Sequence, residues 1–146
     1  WAGIGQYTTL INPCQMLTIM SSIANKGTAL KPQLVSEIIS PEGKVTYNST
    51  TETLGEYFTV DTATKLDELL RSNVKNYYGD GYFPQMKMCG KTGTAQIDNG
   101  ESHSWFVGFS ANPETPYAVV CVAENSGSGL SGAGKIVNKV MQAICK

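Results

Sequence analysis

The chain has 146 residues, 41% of them hydrophobic and 16% charged, enough apolar content to fill a core and too much for a disordered chain. Its formal net charge of -1 gives no support to a nucleic-acid or polyanion partner. No run of 18 apolar residues is present, so nothing in the sequence reads as a membrane span. The start, Trp1-Ala2-Gly3-Ile4-Gly5, shows no signal-peptide pattern.

In chain order, Asn12-Pro13 marks the first helix. Asn is a good N-cap, and Pro at the first helical position gives up no needed hydrogen bond. The run from Cys14 to Ala24 places Met16, Ile19, Met20 and Ile23 on one stripe, and Asn25-Lys26-Gly27 ends it. Gln33 to Ile39 and Lys44 to Tyr47 read as short strands joined by the turn Pro41-Glu42-Gly43. Thr59 or Asp61 caps a second helix, Thr62 to Val74, with Leu66, Leu69 and Leu70 as its apolar face.

Asn76 to Pro84 is rich in Tyr, Gly and Asp and reads as a surface loop with no role assigned. Three strands follow: Met86 to Gln96, Ser104 to Phe109 and Tyr117 to Glu124. Their short connections predict antiparallel neighbours with the Ser104 strand in the middle. Asn125 to Gly134, rich in Gly and Ser, reads as flexible. The last helix, Lys135 to Ile144, offers Ile136, Val137, Val140, Met141 and Ile144 to the sheet.

Cys14, Cys89, Cys121 and Cys145 form no Cys-x-x-Cys pair, and the single histidine, His103, is distant from each in sequence. That spacing speaks against a zinc site. All four have apolar neighbours and are read as buried free thiols. Across the expected sheet, Cys89 and Cys121 are two strand spacings apart, roughly 9–10 Å, too far for a disulfide.

The segment that carries chemistry is Gly90-Lys91-Thr92-Gly93-Thr94-Ala95-Gln96. A central strand wants bulk, yet this one holds a cation, two hydroxyls and two glycines, and Gly93 points to close approach of a ligand or another backbone. In an extended strand Lys91 and Gly93 share one face, and Thr92 and Thr94 the other. A site using the cation and a threonine together must draw on both a face and an edge of the sheet.

Lys-Thr-Gly is also the third motif of penicillin-binding proteins and serine β-lactamases. Here Thr-Ala-Gln follows it, then Ser104-Trp105-Phe106-Val107-Gly108-Phe109, Pro116-Tyr117-Ala118-Val119-Val120 and Glu124-Asn125. Upstream lie Gly3-Ile4-Gly5-Gln6, Asn12-Pro13-Cys14-Gln15-Met16 and Ile23-Ala24-Asn25-Lys26-Gly27. This order resembles the C-terminal part of the transpeptidase domain of a class B penicillin-binding protein, over nearly all of residues 1–146. The resemblance implies an α+β fold, part of the penicillin-binding protein and serine β-lactamase-like fold, with an antiparallel sheet packed with helices. It implies a parent enzyme that cross-links peptidoglycan stem peptides through a serine acyl-enzyme, needs no cofactor, and is acylated by β-lactams.

By the same resemblance Lys91 supplies the positive field of the pocket, and Thr92 and Thr94 hydrogen-bond the substrate carboxylate. Gly93 lets substrate lie along the strand, and the Thr94 backbone N–H is one oxyanion-hole donor. The family's Ser-x-x-Lys and Ser-x-Asn precede Lys-Thr-Gly. Ser72-Asn73-Val74-Lys75 ends a helix rather than starting one, and Ser110-Ala111-Asn112 follows the motif, so both are read as chance matches. The nucleophile is then expected on a missing N-terminal part of the same protein, with the parent anchored on the extracytoplasmic face of the membrane and this chain inactive alone. His103 is read as a solvated strand-edge residue, and Trp105 and Phe106 as sheet core. The runners-up are a β-lactam sensor, a serine β-lactamase, or a non-catalytic peptidoglycan-binding module. Without further strands beside it, the apolar Tyr117 to Glu124 strand is expected to self-associate.

Overall fold

A computed structural model describes residues 2–6 and 8–145. Helix α1 (Pro13–Ala24) starts as its sequence dictates, with the Asn12 side chain accepting the Cys14 N–H at 2.8 Å and Pro13 in the first turn. After its C-cap, Asn25, the chain turns at Gly27, whose φ of +98° is open to glycine. A Cβ there would lie 2.0 Å from the Phe58 carbonyl oxygen.

Strand β1 (Thr28–Leu30) follows, then β2 (Glu37–Ile39) and β3 (Val45–Asn48), an antiparallel hairpin whose residues are all exposed. β4 (Thr53–Glu56) returns to pair antiparallel with β1. The β1–β4 pairing is absent from the sequence expectations, because three- and four-residue strands about 25 positions apart carry no periodicity to read.

Helix α2 (Val60–Asn73) is capped by Thr59, whose hydroxyl accepts the Thr62 N–H at 3.2 Å. Leu66 and Leu70 pack inward as expected, but Leu69 is 61% exposed and Ala63 takes the buried position on α2. A wide π-type turn, Val74–Tyr78, extends the helix, and a 3-10 turn spans Asp80–Tyr82.

The main sheet follows. Strands β5 (Met88–Ala95), β6 (His103–Ser110) and β7 (Ala118–Ala123) are antiparallel in the order β5-β6-β7, with no register shift. Alternation along each strand sorts the core onto its two faces. On one, Met20 and Ile23 of α1 meet Cys89 and Phe109, with Leu66, Leu70 and Val107 packed around them. On the other, Phe106 is fully buried among Val74, Phe83, Met86, Met88, Val137 and Met141, the last two from helix α3 (Lys135–Ile144). Burying a ring such as Phe106 contributes about 2–3 kcal/mol.

α3 buries only Val137 and Met141, and Ile136, Val140 and Ile144 are about half exposed. All four cysteines are free. Cys89 and Cys121 belong to opposite faces of the sheet, with β6 between them. Only Cys89 meets the buried-thiol expectation: Cys121 and Cys145 are partly exposed, and Cys14 is exposed in the first turn of α1, because the stripe facing the sheet runs through Met20 and Ile23.

Candidate functional site

Among the described residues, β5 has β6 on one side and no strand on the other. Four contacts show which groups point to that open edge. Arg71 Nη1 donates to the Met88 carbonyl at 3.1 Å, and Asn73 Nδ2 donates to the Gly90 carbonyl at 2.7 Å. The Thr92 N–H donates to the Tyr78 hydroxyl at 3.0 Å, and the Lys91 ammonium donates to the Thr92 carbonyl at 2.8 Å. Residues 88, 90 and 92 therefore turn their backbone groups outward. In an unshifted antiparallel ladder the same parity turns the Thr94 N–H outward as well.

Side chains alternate independently of this edge. Lys91 and Gly93 share the α1-facing side of β5 with Cys89, while Thr92 and Thr94 share the α3-facing side with Met88. The Thr92 hydroxyl lies 2.9 Å from the Tyr78 hydroxyl, and the Thr94 hydroxyl accepts the Gly129 N–H at 3.2 Å. Because it accepts there, the Thr94 hydroxyl keeps its own proton free to donate.

A groove of about 660 Å³ runs along β5, and Lys91, Thr92, Gly93 and Thr94 all line it. Trp105 and Val107 of β6 line it too, together with Gln6, Thr9, Leu10 and Met16. The sequence assigned Trp105 to the sheet core. Its neighbour Phe106 is buried, but Trp105 is half-buried and turned to the groove, as alternation along β6 requires. His103 also lines the groove. Its Nδ1 accepts the Asn125 N–H at 3.1 Å, so in the neutral ring the proton sits on Nε2.

Two loops behave differently from their sequence expectations. In the aromatic segment 76–84, Phe83 is only 2% exposed and stacks on Phe106 with ring centroids 5.2 Å apart. Tyr78, half-buried against Phe106 at 6.3 Å, carries its hydroxyl to Thr92. Burial pushes the Tyr78 phenol up, but hydrogen bonds with Thr92 and Asn73 and the Lys91 charge outweigh it and hold it below its ordinary value. In the Gly/Ser segment, Gly129 and Gly132 pack against Thr92 and Ser104, and the Ser104 hydroxyl bonds the Ser128 carbonyl at 2.9 Å and the Ala133 N–H at 2.7 Å. The sequence reasoning missed Arg71, Asn73, Tyr78 and Gly129. The available signal was a cluster of aromatic residues in an otherwise polar loop.

The two motif matches read as chance, at Ser72 and Ser110, both make local structural contacts. Ser72 is exposed in the last turn of α2 and accepts from Asn76 Nδ2 at 3.0 Å. Ser110 is buried and bonds the Met86 carbonyl at 2.7 Å and the Asn112 N–H at 3.2 Å.

Comparison with known proteins agrees with this architecture. Residues 2–144 match the penicillin binding protein transpeptidase domain family. The peptidoglycan D,D-transpeptidase PbpA of Mycolicibacterium smegmatis is 26% identical over 137 residues, covering 91% of this chain and 28% of the relative. PbpA of Mycobacterium tuberculosis is 29% identical, covering 90% and 28%. Among solved structures, the imipenem acyl-enzyme complex of M. tuberculosis penicillin-binding protein A superposes with a TM-score of 0.87 at 27% identity, over 98% of this chain and 33% of that one. The chain thus spans 28% of the length of these curated relatives. With its α+β fold, this chain belongs to the penicillin-binding protein transpeptidase domain family.

Proposed function

We propose that residues 1–146 form the C-terminal part of the transpeptidase domain of a peptidoglycan D,D-transpeptidase, the part that supplies the strand against which substrate and β-lactam lie. The observation that carries this reading is the open edge of β5, where an outward Thr94 N–H lies on a groove lined by Lys91, Thr92, Gly93 and Thr94, with the Lys91 side chain on one face of the strand and the threonine hydroxyls on the other. Relatives named as D,D-transpeptidases, and a neighbour trapped as a β-lactam acyl-enzyme, support it.

In the parent enzyme a serine from a preceding part of the protein attacks the penultimate D-Ala carbonyl of a stem peptide. The Oγ–C bond forms and the serine proton passes to a base. The C–N bond to terminal D-Ala breaks, and D-Ala leaves carrying a proton. The amine of a second stem peptide then attacks the ester and releases the serine. The Thr94 N–H holds the oxyanion of each tetrahedral intermediate, a role whose loss costs about 3–4 kcal/mol where it has been removed from other enzymes. Lys91 with the Thr92 and Thr94 hydroxyls holds the carboxylate of D-Ala or of a β-lactam, and Gly93 leaves room for the ligand backbone. The parent works at the extracytoplasmic face of the membrane. Among the described residues, no helix is long and apolar enough to cross a membrane.

Lys91→Ala in the full-length protein tests this. A lost charge-assisted hydrogen bond is worth roughly 1.5–3 kcal/mol, so acylation by penicillin G falls about 10- to 100-fold with the melting temperature unchanged. Unchanged acylation overturns the assignment.

A further inference from the structure

The open edge of β5 is not bare. One segment, residues 71–78, pairs its outward groups in succession: Arg71 takes the Met88 carbonyl, Asn73 the Gly90 carbonyl and Tyr78 the Thr92 N–H. Three side chains do the work of a neighbouring strand and stop two residues before Thr94. The π-type turn Val74–Tyr78 lets the last of them reach that far, since the extra residue per turn swings Tyr78 off the line of α2 and onto Phe106.

The Tyr78 hydroxyl makes a second contact, 2.9 Å from Thr92 Oγ1. Each hydroxyl has one proton. The contact accommodates either hydroxyl as donor. The phenol is the more acidic of the two and already accepts the Thr92 N–H, so in the favoured arrangement it donates to Thr92 Oγ1. The Thr92 hydroxyl proton is then left for a ligand carboxylate.

Resting on the transpeptidase reading above, we propose that Tyr78 is a positioning residue. It is the last member of a side-chain clamp that pairs the edge of β5 up to Thr92, aims the Thr92 hydroxyl proton at the ligand, and leaves Thr94 as the first outward N–H that a substrate meets. Tyr78 touches no substrate itself. Its contribution passes through Thr92.

The test uses the full-length protein and penicillin G. Tyr78→Phe keeps the ring on Phe106 and removes the hydroxyl. The second-order acylation rate falls about tenfold, the equivalent of one neutral hydrogen bond, with the melting temperature held. In a Thr92→Val background Tyr78→Phe makes no further difference to acylation, because the hydroxyl it acts through is gone. Residue-resolved hydrogen exchange supplies a readout independent of activity. The Thr92 amide exchanges at least about tenfold faster in Tyr78→Phe, while the Gly93 amide, which faces β6, is unchanged.

Equal acylation by wild type and Tyr78→Phe, an equal loss in both Thr92 backgrounds, or a Thr92 amide that stays protected without the phenol overturns the proposal. These failures leave the transpeptidase reading standing. A wild-type protein that penicillin G does not acylate overturns that reading itself.

Discussion

Gly129 is the position where a single methyl group tests the site most sharply. Its φ of −56° and ψ of −38° are ordinary helical values, so alanine meets no backbone strain there. What forbids a side chain is space. A Cβ on Gly129 would sit 2.6 Å from Thr92 Cβ, 2.7 Å from the Gly93 carbonyl oxygen and 2.9 Å from the Trp105 carbonyl oxygen. Two of the three are backbone atoms of paired strands, which cannot rotate away. The loop must therefore lift off the sheet, stretching the 3.2 Å bond from the Gly129 N–H to the Thr94 hydroxyl. Overpacking of this kind costs about 1–3 kcal/mol, which in a protein longer than about 150 residues lowers the melting temperature by at most about 2–4 °C per kcal/mol. Gly129→Ala in the full-length protein is read by thermal unfolding and by acylation with penicillin G, and both fall. Gly81→Ala, with nothing within 4 Å of its added Cβ, is the control and changes neither. An unchanged melting temperature in Gly129→Ala would refute the claim that this loop is seated on β5.

Thiol alkylation of the native chain modifies exposed Cys14 first. Cys89, whose thiol is pushed up by burial and by its 3.1 Å contact with Asp67, reacts only after unfolding, and peptide mapping that finds early Cys89 modification contradicts its placement. Arg71 holds the Asp80 carboxyl below the ordinary carboxylate range through paired contacts of 2.6 Å. A depressed folded value means that this stabilisation is present above the unfolded value of 3.8 and is lost as pH falls through the folded one, so Asp80→Asn flattens the acid limb of a stability profile. The pair is half exposed and the effect is small. The isolated chain gains no penicillin mass by mass spectrometry, and one added mass would reveal a nucleophile on it. It also self-associates in light scattering through the outer edge of β7, which holds no Pro or Lys, and a stable monomer at high concentration refutes this.

The elements with strong local signals were legible in the sequence alone. Asn12-Pro13 fixed the start of α1, Thr59 capped α2, and α3 runs from Lys135 to Ile144 as its spacing implies. The three strands of the main sheet and their order followed from short connections, and Lys-Thr-Gly with its flanking segments was enough to recognise the family. These features are local, because caps, turns and periodicity act within a few residues.

What only the tertiary structure decided is how distant segments meet. Arg71, Asn73 and Tyr78 reach β5 across 14 to 17 positions, and Gly129 reaches Thr94 across 35. No pattern in the intervening residues encodes those contacts. The same limit explains Tyr78 and Phe83. A polar loop rich in glycine reads as solvated, yet an uncovered face of Phe106 and an unpaired strand edge draw its rings inward, since burying them and satisfying a backbone N–H lowers the free energy more than solvating the loop does.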